Sequence, residues 1–161
     1  MNQFTSVAIT AALVVPAIAH AEPWKYEDQK DEMTGKVIKS ARVVSDNSLS
    51  LDSPYGGSNY GWIEVFRKSG EPVRVGFSIA KGQFMCSAYT SCPVLVRFDE
   101  EQPMKFTGAP PADHSSNYMF LLNTSGFLAK AAKAKTIRIQ VNIFHNGAPP
   151  LSFTPGPLVF K

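Results

Sequence analysis

Charge is scarce in this chain: Asp, Glu, Lys and Arg make up 18% of 161 residues, and the formal net charge is +3. The basic residues are spread out, apart from Lys130, Lys133 and Lys135, which read as a solvated helix face. A diffuse +3 lacks the clustered basic surface that nucleic-acid binding needs, so no nucleic acid is expected as a partner. Histidine and cysteine are rarer still. Beside Cys86 and Cys92 only His114 and His145 are spare, and their placement gives no zinc signature. No serine sits in a G-x-S-x-G turn, which excludes the usual nucleophile elbow. Asp99-Glu100-Glu101 lacks the interleaved spacing of a calcium loop and reads as a solvated turn. There is no internal repeat, no low-complexity tract and, after residue 21, no apolar run near the ~18 residues of a membrane span. No cofactor is expected.

What is present begins with residues 1–21. Val7 to Ala19 is an uncharged apolar stretch, too short to span a bilayer, and Ala19-His20-Ala21 has the small-x-small form of a signal-peptidase site. The n-region carries no Lys or Arg. The expectation is a cleavable signal peptide at 1–21 and a single exported domain at 22–161, periplasmic or secreted. Glu22 follows the cleavage site, where a lipoprotein anchor would need cysteine. In an exported protein two cysteines spaced C-x5-C argue for one disulfide, Cys86–Cys92. Its short loop should stabilise by about 2–3 kcal/mol. Five intervening residues is the wrong spacing for a C-x-x-C redox motif.

Beyond the leader the pattern is β. Residues 22–34 read as a polar lead whose Trp24 docks on the body. Residues 36–45 and 48–52 read as strands, and 53–59 as a loop. Residues 61–67 alternate, with Trp62 read as core, and Val73, Val75, Phe77 and Ile79 give the clearest period-two pattern. These two stretches predict a hairpin. A second hairpin, 83–86 with 93–99, would be pinned at its base by the disulfide. Strands are expected at 104–107, 117–123 and 136–144, with a Pro-broken edge strand at 151–160. One Ala-rich helix is predicted at 127–135, within 125–135, capped by Thr124 or Ser125. About nine short strands and one helix predict a mainly β protein, a single antiparallel β-sandwich or open barrel.

Few residues stand out as candidate sites. Arg97 and Asp99, two apart on one strand face, read as a structural ion pair. Tyr55, Tyr60, Tyr89 and Tyr118 lie nearest loops and are candidates for a partner surface, with Tyr55 in SPYGGSNYGW the most exposed. Asp113-His114 beside Ser115 and Ser116 is the only hint of hydrolase chemistry, and adjacency in sequence is poor geometry for a triad. No catalytic residue is assigned.

The second half carries a recognisable arrangement: GQFMC at 82–86, CPVLVRFD at 92–99, YMFLL at 118–122, GFLAKAAKAK at 126–135, TIRIQVNIF at 136–144 and SFTPGPLVF at 152–160. It resembles the C-terminal half of TagO/VasI-like periplasmic proteins associated with type VI secretion. More weakly, it is similar to secreted sandwich proteins of the invasion-associated locus B type. Arg97, Asp99, Phe127 and the two cysteines carry the specific match. The resemblance implies an envelope accessory or interaction protein and no enzyme. The expected function is therefore an exported binding module that contacts an envelope or secreted protein. The alternative is an inhibitor or immunity protein occluding a lytic enzyme, and a small hydrolase ranks last.

Overall fold

The computed structural model describes residues 23–86 and 92–160; the expected leader, 1–21, and Tyr89 lie outside the described residues. Its strands are β1 (Lys25–Lys30), β2 (Val37–Val44), β3 (Leu49–Ser50), β4 (Ser58–Asn59), β5 (Gly61–Lys68), β6 (Arg74–Ile79), β7 (Cys92–Phe98), β8 (Met104–Ala109) and β9 (Tyr118–Leu121). A single helix, α1 (Thr124–Ala131), then leads to β10 (Ile137–Val141) and β11 (Leu151–Phe153). The protein is mainly β, as the alternation predicts. Nine strands form one antiparallel sheet in the order β1-β2-β5-β6-β9-β8-β7-β10-β11, and β3 and β4 form a separate small pair.

The sheet curls, and a seam of hydrogen bonds joins its two sides without a continuous ladder. Asp46 N donates to Ser152 O at 2.7 Å, and Ser152 N donates to Asn47 Oδ1 at 2.8 Å. Thr154 Oγ1 donates to Asp46 Oδ2, Trp24 Nε1 to Gly156 O, and Val159 N to Tyr26 Oη. Gly61 marks where β11 crosses β5: a Cβ there would run into the Leu151 side chain and lie 3.2 Å from Ser78 O. The inward residues of the alternating strands, among them Val43, Ile63, Phe77, Val96, Ile139 and Phe153, form one buried cluster. Phe127 of α1 completes it, edge-on to Phe98 at 5.4 Å and to Phe106 at 6.2 Å.

Several expectations change. β1 is a strand where a polar lead is expected. All six of its residues are exposed, so it carries no apolar period and forms by pairing with the open edge of β2. Trp24 does dock, 5% exposed. The Cys86–Cys92 disulfide is formed, but not at the base of a hairpin. Segment 83–86 lies against 142–144 instead: Met85 N donates to Asn142 O, Phe144 N to Gln83 O, and Phe84 bridges Ile143. β7 pairs with β8 and β10, whose alternating apolar residues match it over longer ladders. The helix starts earlier than expected, because Asn123 is its N-cap: Asn123 Oδ1 accepts from Gly126 N at 3.1 Å.

Candidate functional site

Ladder partners project to the same side of a sheet. The register aligns Val44, Trp62, Ser78 and Tyr118 in one row across β2, β5, β6 and β9. Arg42, Glu64, Gly76 and Phe120 form the next row, and Ser40, Phe66 and Arg74 a third. These are outward positions, since Val43, Ile63, Phe77 and Met119 between them are buried. The outer side of an antiparallel sheet is ordinarily polar. Here it holds four half-buried aromatic rings.

Three of these rings touch one another, and two of the four carry cations. Tyr118 and Phe120 meet edge-on at 5.1 Å, and Phe66 lies 6.2 Å from Phe120. The Arg42 guanidinium sits 5.0 Å above the Trp62 ring, and that of Arg74 lies 5.7 Å from Phe120. Such stacking fixes a guanidinium's plane while leaving its N–H edges available. The Tyr118 ring lies over Gly76, where a Cβ would stand 2.6 Å from Tyr118 Cζ. Burial, with the Glu64 carboxylate adding to it, pushes the Tyr118 phenol up to about 12, so it stays a neutral donor at neutral pH.

Two grooves flank Phe120. One, about 580 Å³, is lined by Arg42, Trp62, Ser78, Asp113, Asn117 and Tyr118 among others. The other, about 650 Å³ and more apolar, lies between the start of β6, Leu122 and α1. A further, smaller groove, lined by Lys25, Glu27, Arg42, Trp62 and Glu64, continues the first toward β1. The arrangement is a track across five strands with aromatic flooring and polar groups at intervals.

The sequence candidates scatter relative to this track. Tyr118 lies in it. Tyr60 is 43% exposed but does not line the grooves that flank Phe120. Tyr55, expected to be the most exposed tyrosine, packs partly buried against the core. Trp62, read as core, is on the outer face, because Ile63 and Val65 take the inward positions of β5.

Arg97 and Asp99 do not form the expected ion pair; each has other partners. Arg97 pairs with Glu100 at 2.6 Å and donates through Nε to Glu101 O. Glu100 also faces Arg138, the ladder partner of Arg97, at 3.4 Å. Asp99 Oδ1 accepts from Thr136 N at 2.8 Å and from Lys135 N at 2.9 Å, tying the end of β7 to the entry of β10. The Thr136 bond, then that of Lys135, holds its carboxyl below the ordinary aspartate value. Both residues thus serve as braces rather than as a pair. Asp113 Oδ1 accepts from Ser115 N at 3.0 Å, which depresses the Asp113 carboxyl. Asp113 and Ser115 line the first groove; His114 does not.

Sequence reasoning missed Arg42, Phe66, Arg74 and Phe120. The available signal was Glu64, which marks its whole face of β5 as outward and so places Trp62 and Phe66 there too. Among the described residues no group of three or more His, Cys, Asp or Glu converges as a metal site, and no helix is long and apolar enough to cross a membrane. No protein-family model, curated protein or solved structure matches this chain.

Proposed function

We propose that this protein is an exported binding module that acts through protein–protein contacts, as an accessory or adaptor in the cell envelope. Its contact surface is the outer face of β2, β5, β6 and β9. The observation that carries this reading is the concentration of Trp62, Tyr118, Phe120, Arg42 and Arg74 on sheet positions that are ordinarily polar. Trp, Tyr and Arg are the residues that dominate binding energy at protein interfaces, where they cluster centrally. Tyr118 is already packed on Phe120, Arg74 on Phe120 and Arg42 on Trp62, so little side-chain entropy is lost when a partner covers them. The leader-like residues 1–21 and the envelope-accessory resemblance of the second half support the location.

The test is affinity capture from an envelope extract, using the oxidised protein and its Trp62→Ala variant as paired baits. The proposal expects a stoichiometric protein that the wild type retains and the variant loses. A lytic enzyme as that protein would favour the inhibitor alternative. Equal capture by both baits would overturn the assignment of the surface.

A further inference from the structure

The turn between β1 and β2 presents an unusual knob. Met33 is 94% exposed, and exposed Glu32 precedes it. The turn is rigid for its size. Asp31 N donates to Lys36 O at 2.8 Å, Gly35 N to Asp31 O at 2.7 Å, and Asp31 Oδ1 accepts from Met33 N and Thr34 N at 3.0 Å each. Asp31 also faces Lys68 at 3.6 Å, which ties the turn to the end of β5. A methionine held out on such a frame loses little backbone entropy when it is covered.

The same end of the molecule holds a matching recess. The groove of about 650 Å³ beyond Phe120 is walled by Pro72, Val73, Leu122 and Leu128. Leu122 is 63% exposed, yet its backbone is fixed by the bond from Leu122 N to Thr107 O at 2.9 Å. Arg74 stands at the rim, its guanidinium stacked on Phe120. Its ion pair with Glu71, at 4.0 Å, joins two exposed side chains and contributes little.

We propose that this groove receives Met33 of a second copy of the chain, with Glu32 of that copy on Arg74. Met33 does not fill its own groove, as its exposure shows. Turn and groove lie at one end of the sheet, because Ser69 N donates to Val37 O and Val75 is the ladder partner of Leu121. Two to three ladder steps separate them, roughly 10–15 Å. A twofold axis between them brings each knob to the other copy's groove, so the contact is reciprocal and closed. Charge selects the orientation. Lys36, Lys39, Arg67, Lys68 and Arg74 outnumber Asp31 and Glu71 at this end, and those two carboxylates already face Lys68 and Arg74, so the end carries an excess of cations toward which Glu32 of another copy is drawn.

Sedimentation equilibrium on the oxidised protein tests this, with variants at exposed sites that leave the core untouched. The wild type should show a monomer–dimer equilibrium within about 0.01–1 mM. Met33→Asp, Glu32→Arg and Arg74→Glu should each weaken it roughly tenfold or more. Glu32→Arg combined with Arg74→Glu should return it to within about threefold of wild type, since the pair is only reversed. A species of monomer mass throughout would overturn the proposal. So would a dimer that Met33→Asp leaves intact, or a double variant no tighter than either single one.

Discussion

Gly76→Ala offers a sharp test of how the outer face is built, because its effect should depend on one other residue. Alone, the new methyl group collides with the Tyr118 ring, whose Cζ stands 2.6 Å from the Cβ position. The phenol must leave its place between Glu64 and Arg74, at the overpacking cost of about 1–3 kcal/mol. In a Tyr118→Ala background the collision is gone. The same substitution should then be neutral or should stabilise by about 0.5–1 kcal/mol, because alanine in a strand has less unfolded-state freedom to lose than glycine. The two backgrounds should therefore differ by roughly 1–4 kcal/mol, a coupling large enough to measure. Urea unfolding of the four proteins of this cycle reads it out, with unchanged slopes certifying comparable folding. An equal cost of Gly76→Ala in both backgrounds would refute the placement of Tyr118 over Gly76.

Three further outcomes follow from the packing and the electrostatics. Phe127→Ala, which empties the space between Phe98 and Phe106, should lower the unfolding free energy by about 3–5 kcal/mol in urea titrations. Tyr118 should titrate late: with its value raised from 10.0 to about 12, the unfolded chain gives up this proton first. Stability should therefore fall as pH rises from 10 toward 12, and Tyr118→Phe should remove the late step in the phenolate absorbance titration. Asp99 is shifted the other way. The stability it contributes is present above its ordinary value of 3.8 and is lost as pH falls through the lowered folded value. The gap in urea midpoint between wild type and Asp99→Asn should accordingly be present at neutral pH and close in acid.

Much of the fold was legible because its strands bury one face. Val75, Phe77 and Ile79 announce β6, and Ile137, Ile139 and Val141 announce β10, through an alternation that only a half-buried strand requires. β1 was not legible, since KYEDQK buries nothing and owes its conformation to the edge it pairs with. Pairing was also hidden. Cys86 and Cys92 meet in space, yet neighbours in sequence on either side of the disulfide join different parts of the molecule. The surface was the least legible. Aromatic residues ordinarily point inward, so Trp62 reads as core until Glu64 is taken as the marker of its face. Arg42 and Arg74 acquire meaning only when the ladder brings them beside Trp62 and Phe120.

The most direct test of the central claim is a chemical-shift map of the oxidised protein titrated with its captured partner. The largest changes should fall at Arg42, the Trp62 indole, Ser78, Tyr118 and Phe120, spreading along β2, β5, β6 and β9. Changes confined to Leu95, Arg97, Arg138 and Gln140, on the outer face of β7 and β10, would contradict it.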